Sequence, residues 1–175
     1  MSISKLQPGS SAPDDLNVII EIPANSDPVK YEVDKDTGLL HVDRFSATSM
    51  IYPFNYGFVP NTLCDDGDPL DMMVLSSFPV CHGAVIRARP IGVLMMTDEA
   101  GQDPKILAVP ISKLTKAYDA ITEPEHLSQS ILHSIEHFFS HYKDLDAGKW
   151  VKIEGWQDAA YAKKVVMDAI AAHTQ

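Results

Sequence analysis

From residue 17 to residue 110 the chain reads as short β runs punctuated by Gly and Pro. Many short strands broken this way favour a small closed barrel over an open sheet. Residues 17–22 alternate, with Val18, Ile20 and Ile22 on one face and Glu21 on the other. Residues 30–33 alternate too, which puts Lys30 and Glu32 opposite Tyr31 and Val33. Asp36-Thr37-Gly38 is a turn that joins this run to residues 39–44 as a hairpin. Further strands are predicted at 71–76, 84–90, 91–96 and 105–109. Residues 1–15 are rich in Ser, Pro and Asp and read as a loop or a draped arm.

The last third reads as helical. Thr122-Glu123-Pro124-Glu125 is a helix start, with Pro in the first turn and acids near the positive end of the dipole. Leu127, Ile131, Ile135, Phe138 and Tyr142 recur at helical spacing. A second helix is predicted from about 158 to about 172, with Tyr161, Val165 and Ala169 on one stripe. The expected class is therefore α+β and β-rich, with the whole chain, 1–175, as one domain. At 45% hydrophobic and 22% charged residues it has enough apolar material for a real core.

A formal net charge of −10 argues against nucleic acid and offers no patch for an anionic membrane. No apolar segment follows Met1-Ser2-Ile3-Ser4-Lys5, so no signal peptide is expected. The clearest apolar run, 91–96, is far too short to span a bilayer. Cys64 and Cys81 are read as reduced thiols, consistent with a cytoplasmic protein.

The chemistry concentrates in Asp66-Gly67-Asp68-Pro69-Leu70-Asp71. Three carboxylates in one short turn repel one another unless a cation neutralises them. Oxygen-only donors point to Mg²⁺ or Mn²⁺. Asp98 and Asp103 flank a second loop; if both loops meet at one barrel rim, five Asp converge on a site able to hold two or more metals. The turn is not an EF-hand: counted from Asp66, position five is Leu70 and position twelve is Ser77.

Lys30, Arg44, Lys105 and Lys143 sit beside polar or aromatic neighbours, and Tyr52, Tyr56 and Tyr142 lie close to them in sequence. Acids beside bases make sense for a metal-bound polyanion: metals take one side of a phosphate, while Lys, Arg and Tyr take the rest. A rival motif is His133-Ser134-Ile135-Glu136-His137, which matches an H-x-x-E-H zinc pattern. No companion segment supports it, and a His-bearing helix face at a subunit contact is the preferred reading.

These residues resemble the soluble family I inorganic pyrophosphatases of the bacterial type over nearly the whole chain. The carrying stretches include Ile20-Glu21-Ile22-Pro23, Lys30-Tyr31-Glu32-Val33, Val42-Asp43-Arg44-Phe45 and Tyr52-Pro53-Phe54-Asn55-Tyr56-Gly57-Phe58. The Asp66 to Asp71 segment, Thr97-Asp98-Glu99, Asp103-Pro104-Lys105, His141-Tyr142-Lys143 and Lys149-Trp150-Val151-Lys152 complete them. The resemblance implies a five-stranded OB-like barrel with flanking C-terminal helices. It also implies hydrolysis of pyrophosphate to two phosphates with several Mg²⁺ ions. By the same resemblance Asp66, Asp71, Asp98 and Asp103 hold metals, Glu21 and Glu32 complete the outer metal environment, and Asp68 accepts a proton from the attacking water. Lys30, Arg44, Tyr56, Lys105, Tyr142 and Lys143 match the phosphate-binding set, with Tyr52 as support. A homohexamer built from two trimers is implied, with His137 and His141 near subunit contacts. Pro104 and Gln102 depart mildly from the family pattern. Hydrolysis of another phosphoanhydride, and a non-enzymatic OB-like binding module, are the weaker alternatives.

Overall fold

The structure is a computed structural model and describes residues 3–174. Met1 and Ser2, part of the expected arm, lie outside the described residues. Among the described residues ten strands occur in chain order: β1 (Gly9–Ser11), β2 (Asp15–Ile22), β3 (Val29–Val33), β4 (Leu40–Phe45), β5 (Asn55–Phe58), β6 (Asp71–Val74), β7 (Val85–Asp98), β8 (Gly101–Gln102), β9 (Lys105–Pro110) and β10 (Val151–Gln157). Two helices follow the barrel strands, α1 (Gln129–His141) and α2 (Ala159–His173), with β10 between them.

Strands β2, β5, β6, β9 and β7 pair in that order, and β7 pairs back to β2. The ring of five strands is thereby closed, which leaves the barrel no free edge. All of these pairings are antiparallel except β6 with β9, where Met72 faces Ile106 and Val74 faces Ala108. β2 and β5 approach closely at Gly57, where an added Cβ would lie 1.8 Å from the Ile19 carbonyl oxygen. The hairpin of β3 and β4 forms where the sequence places it, and it is a separate two-stranded sheet.

The same strands feed two cores, by alternation in β6 and β9; in β2 the register shift between Ile20 and Ile22 sends Ile22 to the second core, off the face it was expected to share with Val18 and Ile20. Val18, Ile20, Met72, Val74, Ile106 and Ala108 pack with Ala162, Val166 and Ala169 of α2. Ile22, Met73, Leu107 and Val109 pack with Leu132, Ile135, Phe138 and Phe139 of α1 and with Tyr52, Phe54 and Tyr56. With helices on both sides, the strands need apolar residues on both faces.

Several expectations are corrected. The strands predicted at 84–90 and 91–96 are one strand, β7, whose pairing with β9 shifts register between Pro90 and Gly92. Pro90 has no N–H to give the ladder there, and a Cβ on Gly92 would lie 2.3 Å from Pro124 Cγ, so the close packing needs glycine at that position. The last third is not purely helical, since β10 pairs with β7 along residues 93–98. Its alternation is cut short by the register shift between Ile153 and Gly155. β5 carries no alternation because all four of its residues are buried.

The helix expected from Thr122 is a short 3₁₀ turn, Pro124–His126, and α1 begins at Gln129. Leu127 therefore precedes the helix, Ile131 is exposed, and Leu132 takes the buried place. In α2, Ala169 of the expected stripe is buried and Val165 half-buried, but Tyr161 is exposed, and Ala159, Ala162 and Val166 take the other buried places. Small residues let this helix lie close to the barrel. Among the described residues, no helix is long and apolar enough to cross a membrane. Cys64 and Cys81 are both free thiols.

Candidate active site

The sequence prescribes the shape of the acid turn before any tertiary contact. Gly67 has φ +88, a conformation that costs an L side chain energy, and the Asp66 carboxylate accepts the backbone N–H of Asp68 at 3.0 Å. The Asp68 carbonyl in turn accepts the Cys64 N–H at 2.8 Å. Asp71 opens β6 and Lys105 opens β9. Because those two strands are parallel neighbours in register, both residues emerge at the same rim. Asp98 ends β7, and Asp103 stands just before β9.

A cavity of about 310 Å³ opens at that rim. The turn supplies Asp66, Asp68 and Asp71, the neighbouring loop supplies Asp98 and Asp103, and β2 supplies Glu21. The hairpin contributes Lys30, Glu32 and Arg44; Tyr52 and Tyr56 come from the segment around β5. Lys105 completes the wall with Tyr142 and Lys143, which follow α1. Every residue expected to hold metal or phosphate, or to take the proton, therefore lines one space. Sequence reasoning overlooked Lys35, Glu99 and Lys149, which line it too. Glu99 and Lys149 lie inside stretches that carry the resemblance, which was the available signal; Lys35 follows β3 with no motif of its own.

The lining brings together eight carboxylates and six cationic side chains. Lys105 is 3% exposed, and its Nζ lies 2.5 Å from both Asp71 and Asp103. Burial alone would favour the neutral amine, but the two carboxylates outweigh it and hold the proton above the usual lysine range. Asp103 is pushed up: burial and the neighbouring Asp71 charge exceed the pull of Lys105. Asp98 is buried, yet Lys143 at 2.7 Å and the Ala100 N–H at 2.8 Å overcome the burial and lower it. Glu99 falls to about 2, because bonding to Lys149 at 2.5 Å and the charge of Lys143 outweigh its burial.

On the opposite wall Lys30 pairs with Glu32 and lies 3.4 Å from Asp43, which Arg44 also touches at 3.0 Å. Burial pushes the Glu21 carboxyl up to about 8, even though it accepts the Val33 N–H at 2.7 Å. Burial likewise raises the Tyr52, Tyr56 and Tyr142 phenols, keeping them as O–H donors. These rings belong to an aromatic cluster with Phe54, Phe138 and Phe139, which fixes them from behind.

The donor set is all oxygen, as hard divalent cations require. Among the described residues no three His, Cys, Asp or Glu close on one point as a ready metal cage. Instead the Lys105 ammonium occupies the gap between Asp71 and Asp103, where a cation is wanted. His137 and His141 lie on exposed positions of α1 with ring centroids 4.6 Å apart, outside the cavity lining. Glu136 of the zinc-like motif accepts the Trp156 indole N–H at 2.7 Å.

The architecture defines an OB-like β-barrel with C-terminal helices and a carboxylate- and cation-lined mouth. Residues 18–174 match the family model for inorganic pyrophosphatase. The chain is 57% identical over 172 residues to an inorganic pyrophosphatase of Pseudomonas aeruginosa, covering 98% of each. It is 55% identical over 171 residues to that of Ralstonia nicotianae, again covering 98% of each. The crystal structure of an inorganic phosphatase from Anaplasma phagocytophilum superposes with a TM-score of 0.96 at 52% identity, covering 98% of this chain and all of that one. The chain belongs to the inorganic pyrophosphatase family, and it is an enzyme, an inorganic diphosphatase.

Proposed function

We propose that this chain hydrolyses inorganic pyrophosphate to two phosphates with the help of several Mg²⁺ ions, as a single domain working in the cytoplasm. The observation that carries this is the charge balance of the cavity, eight carboxylates against six cations. A pyrophosphate polyanion entering a formally negative cavity needs added positive charge, and oxygen donors select Mg²⁺ or Mn²⁺.

Asp66, Asp71 and Asp103 would hold metal on one side, Asp98 and Asp103 a further ion arriving with substrate, with Glu21 and Glu32 behind them. Bound there, the cations supply Lewis-acid charge neutralisation and make a nearby water more acidic. Asp68, whose side chain is 72% exposed, receives the proton of the attacking water at its carboxylate. The water attacks one phosphorus in line, the bridging P–O bond breaks, and phosphate leaves. Lys30, Arg44 and Tyr56 neutralise charge growing on the leaving phosphate. Lys105, Tyr142 and Lys143 hold the electrophilic one, with Tyr52 packed behind. Fixed donors and charges around the reacting phosphoryl group supply most of the acceleration.

Assembly as a hexamer of two trimers, with His137 and His141 near the contacts, belongs to the same reading. Phosphate release from pyrophosphate, with and without Mg²⁺ and beside ATP and tripolyphosphate, tests it. Fast, Mg²⁺-dependent and pyrophosphate-selective release is expected; equal rates on all three substrates would point to a broader phosphoanhydride hydrolase, and no release with any metal to a binding module.

A further inference from the structure

The hairpin of β3 and β4 has no strand pairing with the barrel. A lone two-stranded ribbon is marginal by itself, yet this one carries Lys30, Glu32 and Arg44 into the cavity. Something must fix it, and the contacts around Val33 show what does. The Val33 N–H is held by buried Glu21 at 2.7 Å. Its side chain packs with Ile19 and Phe58 in a small core of its own, and Ile3 and Leu6 pack against that core. Val33 and Phe58 also wall the cavity. Ile3 reaches the hairpin turn as well: a Cβ on Gly38 would lie 3.9 Å from Ile3 Cδ1.

The segment 3–8 is itself tied to the barrel. The Leu6 carbonyl accepts Asn61 Nδ2 at 3.1 Å, and the Gln7 carbonyl accepts Asn17 Nδ2 at 2.9 Å. The Pro8 carbonyl accepts the Asn17 N–H at 2.7 Å. The arm is thus bonded to the barrel through its backbone and pressed on the hairpin through its apolar side chains.

We propose that the N-terminal arm is a positioning element for catalysis: Ile3 and Leu6 brace Val33 from outside the cavity and set where Lys30 and Arg44 stand over the substrate. This rests on the reading that Lys30 and Arg44 bind pyrophosphate. The arm touches no substrate itself; it acts through the hairpin.

The test is the full-length Ile3→Ser, Leu6→Ser variant, with Leu6→Ala carrying the same readouts if the double change does not fold. Amide hydrogen exchange on ligand-free protein should rise about tenfold or more across residues 29–45 while β7 keeps wild-type protection. KM for pyrophosphate should rise about fivefold or more, and kcat should fall with it, because Lys30 and Arg44 also meet charge that grows in the transition state. Lys30→Ala is measured beside it. Unchanged hairpin exchange, an equal rise in β7, or an unchanged KM where Lys30→Ala does raise KM would each overturn the brace. If Lys30→Ala leaves KM alone, the substrate reading fails, and hairpin exchange still decides whether the arm braces.

Discussion

Lys35 Nζ lies 3.1 Å from Asp68 Oδ1, linking the end of the hairpin strand β3 to the acid turn across the cavity mouth. Both side chains are open to water, at 53% and 72% exposure. Such pairs contribute about 0–1 kcal/mol, so Lys35→Met should leave the urea midpoint near wild type. Asp68→Asn should also fold and still bind Mg²⁺, yet lose about 100-fold or more of kcat, the scale of a missing general base. Calorimetric Mg²⁺ titration beside steady-state rates separates the two effects; near wild-type turnover in Asp68→Asn would remove its proton-acceptor role.

Lys30→Ala should weaken phosphate binding without releasing the tightest metal. Its Nζ pairs with Glu32 and lies near Asp43, away from the Asp71, Lys105 and Asp103 group. Equilibrium dialysis with Mn²⁺ and with phosphate measures each. Loss of the tight metal as well would show that the two walls collapse together.

Glu21 gives the metal-free protein a pH dependence of known sign. Its carboxyl is pushed up to about 8 in the fold, chiefly by burial. The folded state thus holds a proton that the unfolded chain releases near the usual glutamate value. Its contribution to stability is present in acid and fades as pH rises from about 4.5 to about 8. Glu21→Gln keeps an acceptor for the Val33 N–H and cannot ionise. Relative to wild type, its unfolding free energy in the presence of chelator should grow between about pH 5 and about pH 8.5. A constant difference would mean that Glu21 titrates like an ordinary surface acid.

The two thiols should differ sharply in reactivity. Cys81 is exposed, whereas burial and the charges of Asp66 and Asp71 push Cys64 up to about 12. The thiolate is the nucleophile, so at about pH 8 iodoacetamide should label Cys81 first. Peptide mass mapping over time reads this directly, and equal labelling would show that the acid turn opens readily.

His137 and His141 sit with ring centroids 4.6 Å apart, and His141 Nδ1 lies 2.8 Å from Asp144 Oδ2. If this face meets another subunit, a carboxylate added by His137→Glu should break the contact, and sedimentation should show a smaller particle than wild type. An unchanged mass would place these rings away from the subunit contacts.

What could be read from the sequence was what is local. The acid turn is written in Gly67 and Pro69, and the hairpin in Asp36-Thr37-Gly38 with an alternating run on either side. Position and partner were harder. β5 is buried on both faces, so Asn55 to Phe58 has no polar beat to mark it as a strand. β10 loses its rhythm at the bulge near Gly155. In α2 the larger Tyr161 drew attention from Ala162, although the smaller side chain is the one a close contact admits. The same holds for the cavity: Lys35, Glu99 and Lys149 gain their meaning from Asp68, Lys143 and each other, partners that no short motif contains.

The parallel alignment of β6 with β9 has one more consequence. Asp71 and Lys105 stand together because Met72 is opposite Ile106. A slip of one residue in that pairing would exchange the two buried faces of β9 between the two cores and would offer Pro104 or Ile106 to Asp71 in place of an ammonium. Misassembly of the barrel and loss of the reaction centre would then be one event. For this chain turnover is also a gauge of alignment: a molecule that works has, by that fact, been proofread to the residue.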